Sequence, residues 1–426
     1  MSNTSADSKR APQHVFIIGS KGLGNYGGYE TFVDHLTEMH QNNSMIKYHV
    51  ACKANGTGLM DENKLPSEKI RELGNDRFEY HNADCFKITV PDRLGSAQAL
   101  YYDISALKRS ISYCKSNKIE HPIFYILACR IGPWTRSFKE QIHEIGGKLY
   151  VNPDGHEWMR AKWSRPVRWY WKQSEKLMVQ NADLLVCDSV NIKKYIQQEY
   201  CQYDPKTVYI SYGADIQPSS LSDDDPIYTD WLKEHDLKAG EYYLVVGRFV
   251  PENNFETMIR EFMKSHTKRS LAIVTTQNNS LLNELDSRLH WRNDVRIKFV
   301  GSIYNRELLK KIREKSYGYL HGHSVGGTNP SLLEALGSTK LNLLYDVEFN
   351  REVGQNAALY WTNEEGNLAQ LIDSADHISD KKQEEYGEKA RKRIEAAYSW
   401  KYIANEYEKL WIGGAANENN VVMKVQ

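Results

Sequence analysis

The feature that most limits how this chain can fold is an alternation, made twice over, of short apolar runs with amphipathic helical stretches. In the first half the runs are HVFIIG (14–19), KYHVAC (47–52), FKITV (86–90), PIFYILA (122–128), KLYVN (148–152), DLLVCD (183–188) and TVYIS (207–211). In the second they are YYLVVG (242–247), SLAIVTT (270–276), RIKFVG (296–301), YGYLHG (317–322) and KLNLLY (340–345). Helical patterns such as AQALYYDISALKRSISYCK lie between them. Strands that are apolar on both faces and separated by helices predict parallel sheets covered on both sides. The expected class is α/β, with two Rossmann-like doubly wound domains and a cleft between them.

Length supports the division, because single cores stop growing near ~250–300 residues and this chain has 426. The polar stretch DIQPSSLSDDDP (215–226) breaks the alternation. Its aspartates read as solvated, helix-capping residues rather than a metal motif. The predicted divisions are a tail over 1–13, an N-terminal domain over 14–215, a linker over 216–226 and a C-terminal domain over 227–398. A helix over 399–414 is expected to pack back on the N-terminal domain, followed by a tail over 415–426.

Charge and cysteine usage exclude several classes. Lys plus Arg and Asp plus Glu both number 55, so no global charge favours nucleic acid. Cys52, Cys85, Cys114, Cys129, Cys187 and Cys201 are scattered without a CxxC pair. That is neither a zinc pattern nor a disulfide framework, and it fits a reducing cytoplasm. No apolar run approaches the ~20 residues needed to span a bilayer, and the start MSNTSADSKRAPQ lacks the apolar region of a secretion signal.

Chemistry is concentrated where strands end. The run HSVGGTNPSLLEALGS (323–338) follows a strand. Its turn Gly326-Gly327-Thr328-Asn329-Pro330 leads into a helix carrying one acid, Glu334. Strand, glycine loop and helix start present backbone N–H groups to an anion, and Pro330 suits the first helical turn. Glu334, one turn in, is placed to reach a sugar hydroxyl. A site that holds phosphate and sugar together points to a nucleotide-sugar enzyme.

The first strand runs into GSKGLGNYGGYETF (19–32), with glycines at 19, 22, 24, 27 and 28. Gly22, Gly24 and Gly27 do not stand at dinucleotide spacing from the strand, because the loop is longer and bends at Gly27-Gly28, and no acid stands out at the ribose position of a dinucleotide fold. Glycines here let the backbone approach a ligand closely. In VNPDGHEWMRAKW, Asp154, His156 and Glu157 cluster after another strand, a place for sugar binding or proton transfer. Arg248 follows the strand 242–247, where its fork suits a diphosphate. Trp158, Trp163, Trp169 and Trp171 interleave with Arg160, Lys162, Arg165, Arg168 and Lys172. That pattern reads as an interfacial membrane segment; the competing reading is a buried aromatic helix with a solvated basic face.

The segments IIGSKGLGNYGGYETFV, VNPDGHEWMRAKW, LLVCDS, ISYGAD, VVGRFVPENNFETMI and GHSVGGTNPSLLEAL span nearly the whole chain. Together they resemble the retaining GT-B glycosyltransferases of family 4. More closely, they are similar to the bacterial β-1,4-rhamnosyltransferases of streptococcal-type capsular and cell-wall polysaccharides. The resemblance implies a metal-independent enzyme without a cofactor, using dTDP-β-L-rhamnose as donor. It implies an undecaprenyl-diphosphate-linked glucose or N-acetylglucosamine as acceptor. The enzyme would be cytoplasmic, held peripherally at the inner leaflet of the plasma membrane through Trp158, Arg160, Lys162, Trp163, Arg165, Arg168 and Trp169.

By the same resemblance the donor is bound by Gly27, Gly28, Arg248, Asn253, Gly326, Gly327, Thr328, Asn329 and Glu334. The acceptor side is Tyr29, Glu30, Asp154, His156 and Glu157, and Asp154 and Glu334 are the catalytic candidates. Two departures stand out. Gly326 occupies the place of the family's first glutamate, which contacts donor-sugar hydroxyls, and Asn253 occupies that of a lysine which follows the diphosphate arginine. The first departure suits a 6-deoxy sugar, or backbone groups substitute. The implied path is front-face, with the departing diphosphate helping to deprotonate the acceptor. Alternatives are a UDP-hexose donor on the same fold, a non-catalytic scaffold, and a phosphorylase, which would need pyridoxal phosphate on a lysine.

Overall fold

β1 (Gln13–Ile18) shows why the first sheet is buried on both sides: Val15, Phe16, Ile17 and Ile18 are all at most 1% exposed. The computed structural model describes residues 11–24, 27–74, 76–160, 163–276 and 278–413. Among them the chain forms two units. The first takes in residues up to 158, 164–210 and those from 403; the second takes in 159–163 and 211–402.

The first unit holds a sheet built from β1, β2 (Ile46–Lys53), β3 (Arg71–Gly74), β4 (Arg77–Tyr80), β5 (Ala83–Ile88), β6 (Ile123–Leu127), β7 (Lys148–Asn152), β8 (Leu184–Cys187) and β9 (Thr207–Tyr209). Their order is β3-β4-β5-β2-β1-β6-β7-β8-β9. From β5 to β9 every pairing is parallel. β3 and β4 add an antiparallel edge that the sequence pattern does not announce. β3 is wholly exposed, so it carries no apolar signal. β5 starts three residues before the predicted run because Asp84, a buried acid, is paired by Arg77 and His49.

The second unit holds β10 (Tyr242–Val246), β11 (Ser270–Val274), β12 (Ile297–Gly301), β13 (Gly318–His321), β14 (Asn342–Tyr345) and β15 (Leu359–Trp361), in the order β12-β11-β10-β13-β14-β15. All pairings are parallel. β15 escapes the sequence pattern because it has only three residues. The stretch expected as a linker belongs to this unit. Ser219 N–H donates to Glu314 Oε1 at 2.6 Å and Asp223 pairs with Lys311 at 3.0 Å, while Asp223 and Asp224 stay exposed and Asp225 caps the helix Pro226–Glu234 by accepting the Ile227 N–H at 2.9 Å.

In both sheets the chain winds outward from a central strand pair in opposite directions. The switch points fall between β1 and β6 in one unit and between β10 and β13 in the other. Ligands of doubly wound sheets bind beyond the carboxyl ends of the strands at such points.

The helix Trp400–Gly413 contributes to the first unit from Ile403 onward. Tyr407 and Tyr125 hydroxyls meet at 2.9 Å, and the Trp411 indole N–H donates to the Tyr48 hydroxyl at 2.9 Å. Trp411 is 1% exposed. Trp411→Phe is expected to destabilise the protein by about 1–2 kcal/mol, from one lost buried hydrogen bond and lost ring contact. A lower urea midpoint with unchanged slope would register it.

Candidate active site

The loop after β1 must be glycine-rich for steric reasons. Gly19 has φ +114°, and a Cβ there would sit 2.5 Å from the Leu127 carbonyl oxygen of β6. A side chain on Gly27 would collide with the Glu30 carboxylate, which is fixed because the Lys21 N–H donates to Glu30 Oε1 at 2.9 Å. Glu30, expected on the acceptor side, therefore also braces the loop. Gly28 opens the helix Gly28–Met39 with space around it.

Across the switch point, just past β6, lies Arg130, which sequence reasoning passed over. Its guanidinium pairs with Asp103 at 3.0 Å, donates to the Leu127 carbonyl at 3.1 Å, and stands 5.9 Å from the Tyr29 ring centroid. Burial works to lower the Arg130 pKa, but the Asp103 carboxylate outweighs it and the net shift is upward. Burial in turn raises Asp103, against the pull of Arg130. The available signal was an arginine directly after a fully apolar strand and two residues before Gly132.

Beyond β7, Asp154, Gly155 and His156 adopt φ of +60°, +80° and +54° in succession. Two non-glycine residues in the left-handed region store backbone strain, a feature of ligand-binding sites. The turn is held by Asn152, whose Oδ1 accepts the Asp154 N–H at 2.8 Å. His156 packs on Tyr195 with ring centroids 4.1 Å apart. Burial and then Lys172 depress its pKa, with only Glu199 opposing, so it is neutral near pH 7. Glu157 is buried.

The tryptophan-rich segment is not one helix. A single turn, Glu157–Met159, precedes the helix Arg165–Asn181. Trp169 is 67% exposed, and Arg165 and Arg168 are exposed with it. Arg168 Nε donates to the Trp158 carbonyl at 2.9 Å, and Lys172 Nζ lies 4.6 Å from the Trp158 ring centroid. Arg160 and Trp163 group with the second unit; Lys162 lies outside the described residues. Among the described residues no helix is long and apolar enough to cross a membrane.

The second unit gathers its predicted residues at its own switch point. Arg248 is exposed just past β10. Asn253, where a cation was expected by resemblance, is a structural tie: its Nδ2 donates to the Arg248 carbonyl and its Oδ1 accepts from His323 Nδ1, both at 2.8 Å. Past β13, Gly326 has φ +120°, which an L side chain would strain. Thr328 is buried. Asn329 caps the helix Pro330–Ser338, its Oδ1 accepting from Ser331 N at 2.9 Å and Leu332 N at 3.4 Å. Those two helix N–H groups are thus occupied by the cap, and an anion is left to the loop ahead of it. Ser331 Oγ, the Tyr319 hydroxyl and the Val246 carbonyl lie within 3.1–3.3 Å of one another, locking the helix start to β10 and β13. Glu334 is held by the buried Arg313 at 2.6 Å. Arg313 and His323 were missed because their partners are remote in sequence.

His323 also reports the local field. Burial, then Arg160 and Arg248, lower its pKa to about 3. Burial likewise depresses His14, His49 and His321. An unfolded histidine titrates near ~6.5, so below that pH the unfolded chain binds more protons than the folded one. Stability therefore rises with pH across this window and is lost on acidification. From pH 7.5 to 5.0 the His323 contribution alone is on the order of 2 kcal/mol. Urea titrations at the two pH values test this: His323→Gln should reduce the acid loss.

Comparison with known proteins fits this architecture. A family described as a domain of unknown function (DUF1972) matches residues 12–215. No match was found among curated protein sequences. A sucrose-phosphate synthase from Thermosynechococcus elongatus aligns with TM-score 0.70 at 15% identity, over 96% of this chain and 100% of that one. A glycosyltransferase from Rickettsia africae gives TM-score 0.67 at 13% identity, over 94% of this chain and 98% of that one. Anabaena HepE in complex with UDP-glucose gives 0.66 at 14% identity, over 93% and 98%. The fold is GT-B. At these identities the likeness establishes architecture, and activity has to be argued from the site.

Proposed function

We propose that the chain is a retaining glycosyltransferase that moves L-rhamnose from dTDP-β-L-rhamnose to a lipid-diphosphate-linked glucose or N-acetylglucosamine in capsular or cell-wall polysaccharide synthesis. The observation that carries the transferase reading is the second unit's switch point. An exposed Arg248, a strained glycine loop, a capped helix start and an oriented Glu334 meet there on a GT-B sheet. Arg248 and the N–H groups of 327–329 take the diphosphate, and Glu334 takes the hydroxyls of the nucleoside sugar.

Positive charge at the leaving group comes from Arg248 rather than a metal ion. Transfer is front-face: the diphosphate departs, an oxocarbenium-like sugar forms, and the acceptor hydroxyl attacks from the same side while the diphosphate takes its proton. Asp154, on the strained turn of the first unit, is the catalytic candidate there beside Glu334 in the second. Tyr29, Glu30, His156 and Glu157 line the acceptor side. Trp169, Arg165 and Arg168 are the exposed group that supports contact with an anionic leaflet, where a lipid-linked acceptor resides.

A second reading keeps the fold and mechanism with a UDP-hexose as donor. It is favoured by HepE, solved with UDP and with UDP-glucose. Gly326 favours the first reading, because it removes a carboxylate that a hexose would engage. The deciding assay incubates the protein with dTDP-rhamnose and lipid-diphosphate acceptors bearing glucose or N-acetylglucosamine, with chelator present. A product heavier by one deoxyhexose is expected. Turnover with UDP-hexose alone would replace the donor, and loss of activity in chelator would overturn the metal-independent mechanism.

A further inference from the structure

We infer that His323 Nε2 accepts a hydrogen bond from a hydroxyl of the sugar carried by the nucleotide, making His323 a donor-sugar-reading residue. This rests on the nucleotide-sugar reading above. The argument begins with Asn253. Its Nδ2 donates to the Arg248 carbonyl at 2.8 Å, which fixes the amide's orientation and leaves its oxygen facing His323. His323 Nδ1, 2.8 Å from that oxygen, must therefore carry the proton. In a neutral imidazole the other nitrogen is then an acceptor. Among the described residues Nε2 has no hydrogen-bond partner.

Three surroundings direct that lone pair toward a ligand. His323 follows β13 at the switch point, in the loop that leads to Gly327–Asn329. A Cβ on Gly326 would lie 3.7 Å from Nε2 and, apart from Gly326 and its two chain neighbours, would meet no other atom of the described residues within 4 Å, so there is room on the Gly326 side of the nitrogen. Burial, and after it the nearby Arg160 and Arg248, oppose protonation of the ring, so Nε2 stays an acceptor at neutral pH. The ring is held in place by Phe349, at 5.7 Å between centroids, and its carbonyl by the Asn350 amide at 3.0 Å. A neutral single acceptor beside a cation that grips phosphate suits one hydroxyl of an attached sugar. It avoids the repulsion that a carboxylate would exert on the diphosphate.

Calorimetry on the full chain tests this with dTDP-β-L-rhamnose and UDP-glucose against bare dTDP and UDP. His323→Asn keeps a donor for Asn253 and removes Nε2; His323→Gln keeps an acceptor at the Nε2 reach. The Asn variant should bind the nucleotide sugar roughly 10-fold more weakly while bare nucleotide is unchanged, the value of one hydrogen bond in a partly buried site. The Gln variant should recover part of the loss. In the wild-type chain with nitrogen-labelled histidine, the Nε2 resonance should shift with the nucleotide sugar and not with bare nucleotide. Equal weakening of both ligands, or a resonance that moves alike with both, overturns the inference and leaves the nucleotide-sugar reading intact. Failure of the wild-type chain to bind either nucleotide sugar overturns both.

Discussion

Arg248→Ala is expected to lower kcat by about 10²–10³-fold, the scale set by removing one preorganised group from a developing negative charge. The residue is exposed just past β10, and only its carbonyl is tied down, by Asn253 and by the Val250 N–H. Among the described residues no hydrogen bond or ion pair engages its guanidinium, so its removal leaves no buried partner unpaired. Stability should consequently change by less than about 0.5 kcal/mol. Arg248→Lys should recover only part of the rate, because an ammonium keeps the charge but loses the fork that grips two phosphate oxygens. The measurement is kcat and KM for donor, with melting temperature as control. A near-normal kcat would move the diphosphate elsewhere and remove the main support for the proposed mechanism.

Much of this arrangement was legible in the sequence because it depends on local signals. Continuous apolar runs such as YYLVVG and PIFYILA become central parallel strands. The glycine positions 19 and 326 become backbone geometry that other residues would strain, and Asn329-Pro330 becomes a capped helix start. What stayed hidden depends on partners far apart in the chain. Asn253 looked like a lost cation; its role as a tie to His323, seventy positions on, appears only when β10 and β13 lie side by side. Glu334 gave no hint that Arg313 holds it. The acidic stretch near 223 looked like a linker because the lysines that bind it, 311 and 315, lie 88 and 92 residues later, on and just past the helix Arg306–Glu314. The edge strand β3 has no apolar face to announce it.

The largest stability effect is expected at Arg130, a residue whose importance also comes from a remote partner. Asp103 is fully buried on the helix Gln98–Asn117, and among the described residues Arg130 alone pairs with its charge. One of its oxygens, Oδ1, already lacks a hydrogen-bond partner. Arg130→Met would leave an unpaired carboxylate in the core, at a cost of about 3–5 kcal/mol. It would also release the Leu127 carbonyl and the weaker contact to the Gly19 carbonyl, at 3.1 and 3.4 Å. Loosening those carbonyls frees the glycine loop, so activity should fall further than stability alone predicts. Adding Asp103→Asn removes the buried charge and should restore most of the lost stability, because the penalty belongs to the orphaned carboxylate and not to the missing ion pair. It should not restore activity, since the loop remains unbraced. Urea unfolding of the two single variants and the double variant separates these terms through the interaction energy of the cycle. Additive losses would mean that the two side chains do not act as a pair, and that the guanidinium stabilises the loop independently of Asp103.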